Sequence, residues 1–276
     1  TTFRIGGPAD YLLFPESEEE ISTVCAFCEA RQIPLTVIGA GSNLLVGDRG
    51  IRGVVLRICE GMRAVRRDGN CIVAQGGASL SALSREAERL GLEGLEFACG
   101  IPGTVGGGVV MNAGAYGGEI KDTLDTVVTL SRDGVRHVYT NAEMDFTYRH
   151  SRLSSCDEIV LEASFAPKPG VRADIRARME NFSAQRRDKQ PLQLPSAGSA
   201  FKRPQAGYAA AMIDECGLRG YSVGGAQVSE KHAGFIVNTG NASARDVRAL
   251  IAHIQDMVLC RFGVLLQPEI RFIGQD

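Results

Sequence analysis

Four stretches of the chain repeat apolar residues at the three- and four-residue spacing that gives a helix one buried face. Serines precede three of these stretches and glycines follow two, which are common signals for helix ends. The predicted helices run from Ser17 to before Pro34, from Ser79 to Leu90, across a stretch with Val171, Ile175, Met179 and Phe182 inward, and from Ser243 to near Gly263. A short alanine-rich helix is also predicted over 209–215.

Runs of β-branched and apolar residues between these helices predict short strands. The predicted strands are Leu35–Ile38, Gly53–Ile58, Cys71–Ala74, Val127–Leu130, Val135–Tyr139, Ile159–Phe165, Gly234–Asn238 and Val264–Ile273. Strands and helices mix without regular βαβ alternation, so the pattern favours an α+β fold over a doubly wound parallel sheet. Pro167-Lys-Pro169-Gly170 is a natural domain boundary.

Charge and cysteine content narrow the partners and the compartment. A formal net charge of −2 gives no global field that favours nucleic acid or an anionic membrane. No apolar run approaches the ~20 residues that span a bilayer. A chain of 276 residues with eight cysteines does not need a disulfide framework. We therefore expect a cytoplasmic monomer without nucleic-acid or membrane partners.

Cys25 and Cys28 form a C-x-x-C pair, which has two interpretations. Such a pair is typical of redox and zinc sites. However, Ile21, Val24 and the two cysteines fall at i, i+3, i+4 and i+7 of a helix, and no second pair or histidine cluster completes a zinc site. The pattern favours a buried helix face, and no metal is expected.

Glycine is concentrated in two uncharged blocks. Ala98–Gly118 has eight glycines in 21 residues, and Gly39–Asn43 follows a predicted strand. Glycine lets the backbone adopt positive φ and bring N–H groups against a ligand. The two blocks suit two sides of a long nucleotide whose pyrophosphate accepts hydrogen bonds from amides. Glycine-dense turns between closely packed strands are the alternative.

Two better-known nucleotide motifs do not fit these blocks. Leu44 occupies the third position of the G-x-G-x-x-G fingerprint, and no helix pattern follows it. The longer block lacks the Gly-Lys-Ser/Thr of a Walker A loop. The residues alone therefore indicate a dinucleotide-sized ligand without identifying it.

Seven motifs in order resemble those of the UDP-N-acetylenolpyruvoylglucosamine reductases, flavoenzymes of bacterial peptidoglycan synthesis, in their shorter, second form. The motifs are Thr2-Phe-Arg-Ile-Gly-Gly-Pro-Ala-Asp10, Ile38-Gly-Ala-Gly-Ser-Asn-Leu-Leu45, Gly100-Ile-Pro-Gly-Thr-Val-Gly-Gly107, Met111-Asn-Ala-Gly-Ala-Tyr-Gly117, Tyr148-Arg-His-Ser151, Pro195-Ser-Ala-Gly-Ser-Ala-Phe-Lys-Arg-Pro204 and Gln267-Pro-Glu-Ile-Arg271. The resemblance covers essentially the whole chain.

The resemblance implies an FAD-binding part of the vanillyl-alcohol-oxidase (PCMH) type, made of two α+β lobes, and a smaller α+β substrate domain. The expected limits are 1–166 for the FAD-binding domain, with lobes of about 1–56 and 57–166, and 167–263 for the substrate domain. A C-terminal strand, 264–276, is expected to return to the FAD-binding domain.

The resemblance also implies which residues contact FAD. They are Gly39, Ala40, Gly41, Ser42, Asn43, Leu44, Gly103, Thr104, Val105, Gly106, Gly107, Asn112, Ala113, Gly114 and Ala115. Related flavoproteins attach FAD through His or Cys, but the four histidines, His137, His150, His232 and His253, lie outside the glycine blocks. Cys99 lies at the start of the longer block, but we expect non-covalent FAD.

The implied reaction is the reduction of an enolpyruvyl sugar nucleotide to a lactyl ether, with NADPH as hydride donor. By resemblance, Arg149 binds the carboxylate, Ser199 protonates the carbon beside it, and Glu269 completes the hydrogen bonds around the carboxylate. Tyr148, Lys189, Lys202 and Arg203 are candidate substrate contacts. Without the resemblance, Arg149 is typical of a surface ion pair, Ser199 of a turn and Glu269 of a solvent-facing strand position.

Two other functions compete with this one. An oxidase on the same flavin fold predicts covalent flavin and turnover with oxygen, and it does not need Arg149, Ser199 and Glu269 as a set. A nucleotide-sugar-binding module without flavin predicts a colourless protein and explains neither glycine block well.

Overall fold

The computed structural model describes residues 1–276. The helices are α1 (Glu18–Ala30), α2 (Leu80–Leu90), α3 (Val105–Val110), α4 (Arg172–Lys189), α5 (Ala209–Glu215) and α6 (Ala244–Phe262). The strands are β1 (Ala9–Leu13), β2 (Leu35–Ile38), β3 (Leu44–Val46), β4 (Ile51–Arg57), β5 (Val65–Asp68), β6 (Cys71–Gln75), β7 (Leu92–Glu93), β8 (Gly114–Ala115), β9 (Gly118–Glu119), β10 (Leu124–Leu130), β11 (Arg136–Thr140), β12 (Ile159–Phe165), β13 (Lys168–Pro169), β14 (Ser196–Ser199), β15 (Ser222–Val223), β16 (Ala226–Val228), β17 (Phe235–Asn238) and β18 (Arg271–Ile273). This mixture confirms the predicted α+β class. No helix is both long and apolar enough to cross a bilayer.

Capping side chains and glycines set the helix ends. Ser79 accepts the N–H of Ala82 at 3.0 Å at the start of α2, and Gly91 ends this helix at φ +68°. Ser243 and Asp246 form a reciprocal capping box on α6. These local interactions satisfy backbone groups that a helix end leaves unpaired, so the sequence signals place both helices correctly.

The C-x-x-C pair lies on the buried face of α1. Cys25 and Cys28 are each 2% exposed, and both are free thiols. Cys25 belongs to an apolar cluster with Ile21 and Leu56. Cys28 is buried on the same helix. Burial raises the pKa of the Cys28 thiol, which keeps it protonated. The helix-core interpretation is confirmed.

Three expectations about secondary structure need correction. Val171 was expected on an inward helix face, but it precedes α4 and is 63% exposed. The last strand was expected over Val264–Ile273, yet only Arg271–Ile273 forms β18, which pairs in parallel with β3. The longer glycine block contains α3, which the sequence did not predict because its glycines weaken any helical signal.

The chain divides into two compact units, and neither is one continuous segment. The first unit comprises Thr1–Asp10, Gly41–Arg52 and Arg186–Asp276, and the second comprises Tyr11–Ala40 and Gly53–Gln185. These limits describe compactness alone. The expected domains 1–166 and 167–263 concern which ligand each part binds, so that division stays a prediction.

The second unit contains two sheets, and the five-stranded one contributes side chains to both of the apolar clusters in this unit. Five antiparallel strands follow the order β11-β10-β12-β6-β5, and their apolar side chains pack with those of α2 and α3. A three-stranded sheet in the order β1-β4-β2 contributes Leu56 to a cluster with Ile21 and Cys25 of α1. Gly134, at φ +84°, lies in the turn that closes the β10–β11 hairpin.

The first unit is built on a four-stranded antiparallel sheet in the order β14-β17-β16-β15. The apolar faces of α5 and α6 pack on one cluster with its strands, as the spacing of Val247, Leu250, Ile251, Ile254 and Val258 predicts. The parallel pair β3–β18 belongs to the same unit and contributes Leu45 to that cluster. This unit therefore contains both Ser199 and Glu269.

Candidate functional site

Gly39 of the shorter glycine block lies directly against Thr104 of the longer one. A Cβ atom added at Gly39 would lie 2.3 Å from Thr104 Oγ1, far inside van der Waals contact. Only glycine allows this approach without displacing Thr104. The structure therefore brings together two blocks that are distant in the sequence.

Much of the longer block is occupied with internal packing. The N–H groups of Val105 and Gly106 donate to the carbonyls of Ala78 and Gly76 at 2.7 and 2.8 Å, and Thr104 Oγ1 accepts the N–H of Gly107. These three amides are satisfied within the protein. The close-packing interpretation of the glycines thus explains part of this block.

Two other amides in the blocks have no acceptor in the protein. Gly41, at φ +68°, is buried, and its N–H makes no hydrogen bond. The N–H of Thr104, a residue only 4% exposed, is also unpaired. A buried unpaired amide costs about 1–3 kcal/mol unless a ligand accepts its hydrogen bond. Each of these N–H groups is, taken by itself, a suitable donor for a nucleotide phosphate.

Arg149 lies at the tip of a tight turn in the second unit. Thr147 and His150 exchange backbone hydrogen bonds of 3.1 and 3.2 Å across the turn, and Arg149 has φ +56°. Its Nη2 donates to the carbonyl of Gly114 at 3.0 Å, and its Cζ lies 4.8 Å from the centre of the Tyr148 ring. A non-glycine residue in this conformation is held there by its surroundings, which is frequent at functional sites.

Asn112 is fully buried and its side chain is used within the protein. Its Nδ2 donates to Glu119 Oε2 at 2.7 Å and to the carbonyl of Thr147 at 3.0 Å. Its Oδ1 accepts the N–H of Lys121 at 3.1 Å. The following residues Ala113, Gly114 and Ala115 lead into β8, a two-residue strand paired with β9.

Ser199 is exposed at the end of β14. The register of β14 against β17 shifts between Ser196 and Ser199, and Gly198 within this bulge has φ +79°. A glycine bulge re-aims the side chain that follows it. The Ser199 hydroxyl is therefore presented at the sheet edge with no protein hydrogen bond, unlike a buried turn serine.

Glu269 lies beside the segment that follows Ser199. Its N–H donates to the carbonyl of Ala200 at 2.9 Å, and the N–H of Lys202 donates to the carbonyl of Gln267 at 2.8 Å. These bonds align 200–202 with 267–269 in antiparallel fashion. The structure thus brings Ser199 and Glu269 onto adjacent segments of the first unit. Arg149 belongs to the second unit, so convergence of all three stays a prediction.

The candidate substrate residues differ in exposure. Lys189 is exposed in the last turn of α4. Lys202 is half-buried, and Tyr148 is 44% exposed. Arg203 Cζ lies 4.2 Å from the centre of the Tyr208 ring.

His232 supports the segment that carries Ser199. Its Nδ1 accepts the N–H of Gly234 at 3.1 Å, and the carbonyl of Gly234 accepts the N–H of Ala200 at 2.8 Å. Burial lowers the pKa of His232, and the Arg219 cation lowers it further. No sequence signal reveals this link, because it depends on strand pairing.

The thiol of Cys99 contacts helix α4. Its Sγ lies 3.6 Å from the carbonyl of Met179 and 3.7 Å from Ser183 Oγ, both on α4. The thiol therefore packs on a helix next to the glycine block.

Comparison with known proteins identifies two families along the chain. Residues 9–138 match the FAD binding domain, and residues 190–273 match the C-terminal domain of UDP-N-acetylenolpyruvoylglucosamine reductase. The FAD-binding match confirms the expected fold, and with the relatives it identifies a flavin-dependent oxidoreductase.

Curated relatives and a solved structure extend the match to the whole chain. Proteins named UDP-N-acetylenolpyruvoylglucosamine reductase from Agathobacter rectalis and Caldanaerobacter subterraneus are 51% and 48% identical over 100% of this chain and 91% of theirs. The crystal structure of the reductase from Thermus caldophilus superposes with a TM-score of 0.86 at 38% identity, covering 99% of this chain and 95% of that one. The chain belongs to the UDP-N-acetylenolpyruvoylglucosamine reductase family.

Proposed function

We propose that this protein reduces UDP-N-acetylglucosamine enolpyruvate to UDP-N-acetylmuramate with NADPH, using non-covalently bound FAD. The observation that carries the proposal is the placement of Ser199 and Glu269 on adjacent hydrogen-bonded segments, in a chain 51% identical to a named reductase. The product is a precursor of peptidoglycan. Because both donor and substrate are cytoplasmic metabolites, we assign the reaction to the cytoplasm.

The two glycine blocks would hold the cofactor. The N–H of Gly41 in one block and that of Thr104 in the other would each suit a phosphate oxygen, and the missing Cβ of Gly39 lets this residue pack against Thr104. Bound there, FAD would supply the hydride-transfer chemistry, from NADPH to the vinyl carbon remote from the substrate carboxylate. The packing of the Cys99 thiol against α4 supports non-covalent binding.

Arg149 would bind the substrate carboxylate. Hydride addition places negative charge on the carbon beside the carboxylate and on the carboxylate itself. A guanidinium is charged at all physiological pH values and can donate two parallel hydrogen bonds to a carboxylate. Such a fixed donor stabilises charge that grows in the transition state more than it stabilises the substrate.

Ser199 would donate the proton that completes the reduction. Its exposed hydroxyl follows a glycine bulge, which supports a role toward a ligand. A serine hydroxyl is a weak acid, so it suits only a strongly basic carbanion. The ammonium group of Lys202 would offset the charge left on Ser199 Oγ. Glu269 would complete the hydrogen bonds around the carboxylate.

The UDP diphosphate requires cations, for which Lys189 and Arg203 are the candidates. Lys189 is exposed, and Arg203 is held over Tyr208. Lys189→Met should raise KM with little change in kcat, because a remote diphosphate contact contributes equally to the ground state and the transition state. Arg187→Met, on the same exposed turn, provides the matched control.

Anaerobic two-step spectroscopy tests the proposed function. NADPH should bleach the flavin absorbance, and the enolpyruvyl sugar nucleotide should then restore it without oxygen. Ser199→Ala should block the second step and leave the first intact, whereas Ser196→Ala on the same strand should leave both unchanged. Reoxidation by oxygen alone would favour the oxidase, and a colourless protein would refute both.

A further inference from the structure

We propose that Asn112 is a positioning residue for Arg149. Its side-chain hydrogen bonds fix the turn that carries the guanidinium, rather than contacting the flavin as the family motif led us to expect. This role rests on the proposed function, because Arg149 meets the substrate carboxylate only in that reaction.

The amide of Asn112 has its main hydrogen-bonding groups engaged inside the protein. Nδ2 donates to both Glu119 Oε2 and the carbonyl of Thr147, and Oδ1 accepts the N–H of Lys121. The Glu119 carboxylate is balanced by Lys121 Nζ at 3.2 Å. With both N–H donors used and the side chain 0% exposed, Asn112 offers no donor to a ligand.

The hydrogen bond from Asn112 Nδ2 to the carbonyl of Thr147 lies at the base of the turn. The same carbonyl accepts the N–H of His150, which closes the turn around Tyr148 and Arg149. Arg149 has φ +56°, a conformation that non-glycine residues rarely adopt. A turn that places such a residue needs a firm anchor, and the buried amide of Asn112 supplies one.

The head of Arg149 is fixed against the same segment. Its Nη2 donates to the carbonyl of Gly114, which follows Asn112 by two residues. The segment 112–114 therefore holds Arg149 at both its backbone turn and its guanidinium. Loss of the Asn112 amide releases the first of these contacts and lets the second shift. A misplacement of about 1 Å in such a group costs about 10²-fold in rate.

Asn112→Gly is the sharpest single variant. Glycine tolerates the φ of +42° at this position, so the substitution removes the side chain without forcing a strained backbone. We expect the substrate half-reaction to slow by about 10²-fold, while FAD content and reduction by NADPH stay at wild-type levels. Asn112→Ala removes the same amide and keeps a Cβ atom, so it should slow the same step and separates loss of the amide from the added flexibility of glycine.

Asn141→Ala controls for a general loss of packing. Asn141 Nδ2 also donates to two carbonyls, those of Lys121 and Leu124, but it does not contact the Arg149 turn. This variant should lose stability and keep the rate of the substrate half-reaction. If it slows that step as much as Asn112→Gly does, the positioning role is wrong.

A double-mutant cycle with Arg149→Ala completes the test. If Asn112 acts through Arg149, adding Asn112→Gly to Arg149→Ala should slow single-turnover reoxidation no further. The proposal would be overturned if the double variant were slower than Arg149→Ala by the full factor that Asn112→Gly shows alone. Loss of FAD from Asn112→Gly would overturn it as well. If Arg149→Ala alone leaves the substrate step unchanged, the carboxylate assignment of the proposed function fails, and the positioning role fails with it.

Discussion

The side-chain amide of Asn43 donates a hydrogen bond of 3.0 Å to the backbone carbonyl of Glu269. The carbonyl of Asn43 accepts the N–H of Arg271 at 2.9 Å, so one residue of the shorter glycine block spans both sides of Ile270. A side chain within the proposed cofactor segment thus fixes the segment just before β18, which carries a proposed substrate contact.

Asn43→Ala should therefore affect the substrate more than the cofactor. The variant loses one hydrogen bond, which costs about 1 kcal/mol of stability, but it keeps the backbone of the glycine block. We expect a slower substrate half-reaction with the FAD-to-protein ratio preserved. Absorbance spectra and rapid-mixing kinetics measure the two quantities. Flavin loss in proportion to lost activity would instead assign the Asn43 side chain to the cofactor.

Local sequence signals predicted most of the helices because their ends are determined by neighbouring residues. Ser79, Gly91, Ser243 and Gly263 mark ends of α2 and α6 and adopt the expected capping conformations. Val171 was placed wrongly because its apolar side chain continues a helical pattern, although the backbone enters α4 only at Arg172.

The positions of the site residues depend on long-range contacts, which no local sequence pattern predicts. The approach of Gly39 to Thr104 and the bond from Asn43 to Glu269 join segments far apart in the chain. Family resemblance pointed to these residues but assigned Asn43 and Asn112 to the cofactor alone. Their side-chain partners became visible only with the tertiary structure, since an asparagine in a glycine-rich motif serves a ligand and a backbone carbonyl equally well.

Gly39→Ala should disrupt the contact between the two glycine blocks. The new methyl group would lie 2.3 Å from Thr104 Oγ1, so either the threonine or the loop must move. Overpacking of this kind costs about 1–3 kcal/mol, and we expect weaker FAD retention together with a lower unfolding midpoint. Flavin fluorescence released on dilution and denaturant titration measure these effects.

Gly61→Ala is the matched control for Gly39→Ala. A Cβ at Gly61, outside both glycine blocks, would lie 2.4 Å from the carbonyl oxygen of Pro15. This variant should lose stability and retain FAD. Thr104→Ala, combined with Gly39→Ala, should recover part of the lost stability by removing the clashing oxygen. Equal flavin loss in Gly39→Ala and Gly61→Ala would show that the approach between the two blocks is not the cause.

Gly198→Ala should slow the step that Ser199 serves. At φ +79° alanine is strained by about 1–2 kcal/mol, although its methyl group would meet nothing within 4 Å. Relief of this strain changes the bulge and turns the Ser199 hydroxyl from its direction. Single-turnover reoxidation by the substrate should slow, while reduction by NADPH stays unchanged.

Gly217→Ala separates this effect from simple destabilisation. Gly217 has φ +72°, a Cβ there also meets nothing within 4 Å, and the residue follows α5 in the same unit. Both variants should lose similar stability in denaturant titration. If both slow the substrate step to the same degree, the bulge has no special role in aiming Ser199.

Because of His232, the free energy of unfolding should change with pH in mildly acidic solution. Its folded-state pKa lies below the value of about 6.5 for an unfolded chain, because burial and then Arg219 disfavour the cation. As the pH falls through 6.5, the unfolded chain binds a proton that the folded protein does not. The unfolded state is then favoured, so the contribution of His232 is full above this pH and declines below it.

His232→Asn should therefore make the free energy of unfolding less dependent on pH than in the unmodified protein. The difference should appear as the pH falls through the unfolded-chain pKa of about 6.5. Protonation of Nδ1 also breaks its bond to the Gly234 N–H, beside the carbonyl that holds Ala200. The unmodified protein should lose substrate-step activity in the same direction, because this loosens the segment carrying Ser199. An identical pH profile of the unfolding midpoint in both proteins would show that another group is responsible.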